Sequence, residues 1–435
     1  MTHESSLLDS STMTTMENKT YSDLIAKFPT SEALLAYLRS AEGGRLIVRD
    51  DMMTPDDPLI VIRYEKGVTD MTLPHVESFR SVVWNMRTNR PVCASPTRGL
   101  KFGAAVDAAV TDFLVEEFVD GVMVNLFWDE SKQVWRIATR THLDAACNYY
   151  GRRTFAQLFW ETLALTGVNP SSLSKNYTYS WVLQHPEERI VVAPAYGLPK
   201  LRLVEVARIL EDGGHLVMRT PKELLPVAVH AMLPETHELA TLEDVKERVE
   251  AWGKRFGTQW QGLVIKNKEL GASPRRWKLR SNEYDEARHL RGNQPKLQFT
   301  WLERWSANKL KQYTALYPEE ANAANATVER FKACTQEVHD LYTKIYKLRA
   351  FPLGQAPQKY RKLLWEIHAA KKGSYFPELR TFMNGQDTAR KLWLVNYEAR
   401  YPAPTVVPEV ATAPAPAPAP APTPEVATPA VEVVA

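Results

Sequence analysis

The chain has 435 residues, 44% of them hydrophobic, with 54 Lys and Arg against 51 Asp and Glu for a formal net charge of +3. That is material for two or three domains with buried cores, and no run approaches ~18 consecutive apolar residues, which excludes a protein anchored by an apolar helix. Three widely separated cysteines, Cys93, Cys147 and Cys334, argue against a disulfide framework or a four-cysteine zinc site and point to a reducing compartment, cytoplasmic or nuclear.

Residues 1 to 20 are rich in Ser, Thr and Met without an apolar period or a secretory signal, and they read as a flexible lead-in. Residues 21 to 293 mix helix and strand. Leu46-Ile47-Val48, Leu59 to Ile62, Val122 to Phe127 and Leu201 to Val206 have the length and branching of strands. Asp212-Gly213-Gly214 marks a hairpin turn, because glycine accepts the positive φ such turns need. Helices are expected at Thr154 to Leu165, with Phe155, Leu158, Phe159 and Thr162 on one face, and at Thr241 to Phe256, which opens on a capping signal. Leu114 to Phe127, taken alone, reads as a hairpin turning at Asp120-Gly121. The mixture predicts an α+β class rather than a doubly wound parallel sheet.

From 294 to 401 the period becomes helical: Val328, Phe331, Thr335, Val338, Leu341, Tyr342, Ile345 and Leu348 recur at three- and four-residue steps. An all-α domain is expected, with Trp301, Trp305, Tyr313, Tyr342, Tyr346, Trp365 and Trp393 in its core. Lys371-Lys372-Gly373 reads as a helix end closed by glycine. From 402 to 435 the chain alternates Ala and Pro between two copies of Pro-Glu-Val-Ala-Thr, a composition that stays extended and serves as a disordered tether. The tail holds three Glu and no Lys or Arg, so the body before it carries +6, a mild excess compatible with a phosphate-rich partner.

The stretches with chemical content fall in a fixed order. They are Ser78-Phe79-Arg80, Lys101-Phe102-Gly103, Phe118-Val119-Asp120-Gly121, Ile137-Ala138-Thr139-Arg140, Trp181 to Val192, Gln261 to Lys266, and Lys278-Leu279-Arg280-Ser281. In order and spacing they resemble the covalent nucleotidyltransferases, and most closely the T-even phage RNA ligase 1 family, over roughly residues 40 to 300. The resemblance implies a nucleotidyltransferase (ATP-grasp-like ligase) fold of antiparallel sheets with flanking helices. It also implies ATP and Mg²⁺ as cofactors and RNA, such as a tRNA or a nicked RNA, as partner. Arg80, Lys101, Arg140, Lys266, Lys278 and Arg280 are then the nucleotide- or phosphate-binding residues. Alternation along a strand aims such cations at one face, and arginine's fork suits phosphate oxygens.

The sequence departs from that family where the chemistry is done. In such enzymes a lysine amine attacks the α-phosphorus of ATP, and here Phe118 stands at the nucleophile position, although Asp120 and Gly121 of the same motif remain. Val182 and Gln261 stand where the family has glutamates, so the metal or ribose positions are degenerate, and neutral groups bind Mg²⁺ poorly. No other metal site is readable. Glu116 and Glu117 are poor substitutes, since an acyl-adenylate is far more labile than a phosphoramidate. Arg275 and Arg276 beside Trp277 suit either an RNA backbone or an ordinary strand.

The expected function is a ligase-like pseudoenzyme that binds nucleotide or RNA ends without adenylating itself. Two alternatives stay open: an RNA ligase of RNA repair, ATP-dependent or sealing pre-adenylated ends, and a viral or phage structural or scaffolding protein that recruits a protein partner through its Pro/Ala tail. No membrane association is expected.

Overall fold

The computed structural model describes residues 14–50, 53–103, 112–269 and 271–402. The tail from 403 onward and the first thirteen residues of the expected lead-in lie outside the described residues. The chain divides after Glu329 into two compact units.

The first unit opens with β1 (Thr15–Asn18), α1 (Thr20–Lys27) and α2 (Ser31–Arg39). The strand lies within the segment expected to be a lead-in. It forms because it pairs antiparallel with His215–Met218, a partner two hundred residues away that no local pattern announces. Then follow β2 (Ile47–Arg49), β3 (Leu59–Arg63), β4 (Val82–Asn85) and β5 (Arg90–Ala94), a four-stranded antiparallel sheet in sequence order. Tyr21, Leu34 and Leu38 of the two helices pack on Ile60, Ile62 and Trp84 of this sheet.

Next come β6 (Leu100–Lys101), β7 (Phe113–Glu117), β8 (Val122–Asp129), β9 (Val134–Ala138) and α3 (Phe155–Leu165). They are followed by β10 (Thr178–Gln184), β11 (Lys200–Ile209), β12 (His215–Met218) and β13 (Thr236–His237). The unit's last strands, β14 (Gly262–Asn267) and β15 (Arg276–Arg280), are flanked by α4 (Leu242–Phe256) and α5 (Asn282–Arg291). A six-stranded sheet runs β1-β12-β11-β10-β8-β9, and a five-stranded sheet runs β13-β7-β14-β15-β6. Among the described residues all strand pairings are antiparallel except β15 with β6.

The two larger sheets each bury one face under a helix. Phe155, Leu158 and Phe159 of α3 pack on Val124, Leu126 and Trp181, and the helix begins with a capping box from Thr154 to Gln157. Val245 and Val249 of α4 pack on Val115, Leu263, Ile265 and Trp277, behind a second capping box from Thr241 to Asp244. The other face of the six-stranded sheet packs in part, through Phe127 and Ala138, on Leu59, Val61 and Val83 of the four-stranded sheet, whereas that of the five-stranded sheet carries Lys266, Arg276 and Lys278.

The Asp120-Gly121 step is not a hairpin turn. β7 belongs to the five-stranded sheet and β8 to the six-stranded one, so the chain crosses between sheets there. Gly121 adopts φ +144°, and a Cβ on it would stand 2.5 Å from the Leu183 carbonyl oxygen, so close backbone approach requires glycine.

Helices α6 (Leu297–Ser306), α7 (Leu310–Leu316) and α8 (Ala321–Tyr342) follow. The second unit adds α9 (Gln358–Ala369), α10 (Phe376–Asn384) and α11 (Thr388–Val395), whose buried residues include Tyr360, Leu363, Leu364, Leu379, Met383 and Leu392. Two expectations need correcting here. Trp365 is not core: it lies on the outer stripe of α9 and is 60% exposed, because Leu363, Leu364 and Ile367 already fill the buried face. Nor does glycine close that helix. Lys371 takes the left-handed conformation at φ 55°, and Lys372 N–H bonds back to Ile367 O. Gly373 is small because a Cβ would enter the Tyr342 ring at 2.2 Å.

Candidate phosphate-binding face

On β15 the residues Arg276, Lys278 and Arg280 alternate with Trp277 and Leu279. The Trp and Leu belong to the cluster under α4, so the three cations occupy the opposite face. Register extends this face across the sheet: Lys278 is opposite Val264 and Lys101, Arg276 is opposite Lys266, and Val264 is opposite Glu116. Phe118, just past β7, donates its N–H to Gly262 O at 2.9 Å and lies under the Arg280 guanidinium, 5.2 Å from ring centre to cation.

Other elements bring further cations to this face. Burial, reinforced by Arg276 and Arg140, lowers the Arg80 pKa to about 10. Burial together with Arg280, Lys66, Arg276 and Arg80 lowers the Lys278 amine to about 8. A Cβ on Gly99 would stand 3.5 Å from Lys278 Cδ and 3.8 Å from Arg276 Nε, so these two side chains lie together over the same strand face. The structure therefore gathers Arg80, Arg140, Lys278 and Arg280, four of the residues singled out by motif, and adds Arg276 and Lys66. Lys66 belongs to no motif and reads in sequence as an ordinary surface lysine after Glu65.

Partners for this charge are few. Arg80 Nη1 meets only the weak acceptor Met123 Sδ, at 3.1 Å, and Arg140 Nη2 donates to Tyr64 O at 2.8 Å with its guanidinium 5.0 Å from the Tyr64 ring. Arg276 Nε donates to Thr97 O at 2.7 Å. Arg280 approaches Asp285 at 3.7 Å, and burial first, then Arg288, lowers its pKa. Arg140 Nε and Arg280 Nε are buried without an acceptor. Guanidinium and ammonium donors left short of acceptors in a common patch fit an anion with several oxygens.

Two of the expected binding residues are placed differently. Lys266 is buried, with its amine 2.6 Å from Glu116 Oε2 and 2.8 Å from Val204 O, so its charge is spent within the protein. Lys101 is exposed at the edge strand β6, in register with Lys278.

The acidic side of the motif set does not form a metal-ligand group. Asp120 Oδ1 accepts from Tyr284 Oη at 2.6 Å, and its Oδ2 accepts from Val191 N and Val192 N at 3.0 and 2.9 Å. Glu116 is held by Lys266, and burial raises the pKa of Glu117. Val182 is buried and aliphatic on β10, opposite Met123. Gln261 is buried, and its Oε1 has no donor. Among the described residues, no group of three or more His, Cys, Asp or Glu is arranged to hold a metal. No described helix is long and apolar enough to cross a membrane.

Each unit holds a further cavity. One of about 330 Å³ lies beside Asn18, Glu77 and Arg275, and one of about 380 Å³ lies in the helical unit between α9 and α11.

No protein-family model and no curated protein matches the sequence. Among solved structures, an archaeal ATP-dependent RNA ligase aligns at 11% identity with a TM-score of 0.38, covering 87% of this chain and 79% of its own. A second form of that protein gives 12% identity and a TM-score of 0.37, over 73% of this chain and 82% of its own. A Naegleria gruberi RNA ligase with pyrophosphate gives 14% identity and 0.32, over 44% and 57%. At TM-scores below 0.5 the chemistry of this chain rests on its own residues.

Proposed function

We propose that the first unit binds the phosphates of a nucleotide such as ATP, or of an RNA end, on the cationic face of its five-stranded sheet, and that it does not store adenylate at position 118. One observation carries this reading: Arg80, Arg140, Lys278 and Arg280 keep donors short of protein acceptors, with Arg140 Nε and Arg280 Nε buried and unsatisfied. The order of the motifs along the chain supports the choice of a nucleotide over a simple anion.

Phe118 argues for binding without transfer. A phenyl ring cannot form a phosphoramidate, and this ring already serves as the face on which Arg280 rests. The neighbouring acid, Asp120, is saturated by three internal donors. What remains is a set of cations that neutralise and orient phosphate oxygens.

The test is ATP binding by calorimetry together with incubation in labelled ATP and Mg²⁺. We expect saturable binding, weakened about tenfold or more by Arg80→Ala or Arg140→Ala, as for loss of a charge-assisted contact. No covalent AMP should appear. Adenylate on an internal lysine, or affinity indifferent to both substitutions, overturns the reading.

A second reading is favoured by the same unpartnered cations: sealing of an RNA end that already carries adenylate needs phosphate orientation but no lysine nucleophile. Phosphodiester formation from pre-adenylated RNA would support it, and absence of product across several divalent metals would remove it.

A further inference from the structure

The basic charge of this protein is concentrated in its second unit. Between Arg330 and Pro402 stand fourteen Lys and Arg against six Asp and Glu, a net +8, whereas residues 1–329 come to −2 and the tail from 403 to −3. A field of that density in 73 residues attracts a polyanion.

The local geometry says what kind. The 380 Å³ groove between α9 and α11 is lined by Lys359, Lys362, Arg390 and the half-buried indole of Trp393, with Asp387 the one acid among its lining residues. Arg390 is fixed there by Glu366 at 2.6 Å and Gln386 at 2.9 Å, and Trp393 is fixed by an edge contact with Tyr397, 5.0 Å between ring centres. Lys362 is exposed and has no protein partner among the described residues. One helical step along the same outer stripe, Trp365 stands 60% exposed. Cations set between aromatic faces recognise a chain of phosphates joined to flat bases: the charges follow the backbone, and the rings receive unstacked bases.

We propose that the second unit is a docking surface for single-stranded nucleic acid, with Lys362 contacting phosphate and Trp365 and Trp393 stacking on bases. A duplex hides its base faces, and an acidic lipid surface offers no planar groups to stack, so neither uses both components of the site. The surface does not depend on the phosphate-binding reading of the first unit. It would hold a strand whether or not that unit takes a nucleotide.

The test uses the full chain and fluorescent 12-nucleotide strands, oligo-U and oligo-dT, read by anisotropy across a salt series. Lys362 and Trp365 are both exposed, so Lys362→Glu with Trp365→Ala should leave a folded protein, checked by circular dichroism. Wild type should bind single strands with marked salt dependence, and the double variant should bind about tenfold or more weakly with a shallower slope. ATP binding by the first unit should not change in the variant. Equal affinity for U and dT strands places recognition on phosphate and base, and preference for U adds the ribose hydroxyl. Unchanged strand binding in the double variant overturns the proposal. So does tighter binding to vesicles of 30% phosphatidylserine than to either strand, or loss of strand binding only on Arg80→Ala. If ATP binding fails while strand binding follows Lys362 and Trp365, the first-unit reading falls and this one stands.

Discussion

Asp120 Oδ1 accepts a 2.6 Å hydrogen bond from Tyr284 Oη, which ties the crossing between the two larger sheets to helix α5. The other oxygen takes Val191 N and Val192 N, and burial, reinforced by the carboxylate, raises the tyrosine's pKa. Asp120 thus acts as a fastener. Asp120→Ala leaves three buried donors without an acceptor and should cost about 2–4 kcal/mol. Asp120→Asn keeps acceptor capacity and should cost about 1 kcal/mol. Urea midpoints of the two variants check the order, and equal losses would mean that the hydrogen bonds are not what matters.

Arg136 is a second buried fastener, and its stability contribution is pH-dependent. Its guanidinium meets Asp57 and Asp129 at 2.9 Å and Asp144 at 2.7 Å. Despite burial, hydrogen bonding and attraction from Arg136 hold Asp57 below the usual carboxylate range, and Asp129 is held down by Ser131 and Arg136. A carboxylate whose folded pKa is depressed contributes stability above its unfolded value near 3.9, and that contribution fades as pH falls through the folded value. Arg136→Met should therefore cost about 3–5 kcal/mol at pH 7, because it strands buried carboxylates, and should flatten the loss of stability below about pH 4. Thermal midpoints from pH 7 to 2 measure both effects.

How much of this was legible depends on how far each residue's partner lies along the chain. The helix opening at Thr154, the Thr241 cap and the Gly213 turn at φ 92° are local patterns, and they read correctly from sequence. Lys266 misleads because the glutamate that neutralises it, Glu116, is 150 residues away, and only the β7–β14 pairing brings them together. The same holds for Asp120, whose donors come from 71 to 164 residues downstream. Asp-Gly reads as a hairpin because that is its commonest local use, whereas here the next strand's partner is decided by the six-stranded sheet. Trp365 reads as core because periodicity counts aromatic residues without asking whether the buried stripe is already full.

Gly262 illustrates a constraint visible only in three dimensions. It adopts φ +138°, and a Cβ would stand 2.1 Å from Leu279 O and 2.8 Å from the Arg280 Cα. Both contacts are backbone of the strand that carries the cations, so relief requires β14 and β15 to separate. Gly262→Ala should destabilise the first unit by about 3 kcal/mol or more and weaken ATP binding through displaced Arg280. Gly103, which has nothing within 4 Å of an added Cβ, supplies the control, since Gly103→Ala should change neither quantity.

Lys278 links stability and binding through one proton. Burial and its cationic neighbours place its folded pKa at about 8, below the unfolded value of 10.5. Between those values the unfolded chain binds the extra proton, so this residue makes stability rise with pH from about 8 toward 10.5, and below pH 8 its charge is a net strain. Lys278→Met should remove that rise and raise the urea midpoint at pH 7. An anion on the cationic face reverses the balance, because it favours the charged amine. Affinity for inorganic pyrophosphate should therefore hold steady below about pH 8 and fall above it in the wild type, while the methionine variant binds more weakly with a flatter profile. Calorimetry at pH 6.5, 8 and 9.5 reads both proteins. A wild-type affinity that rises above pH 8 would show that Lys278 does not face the anion.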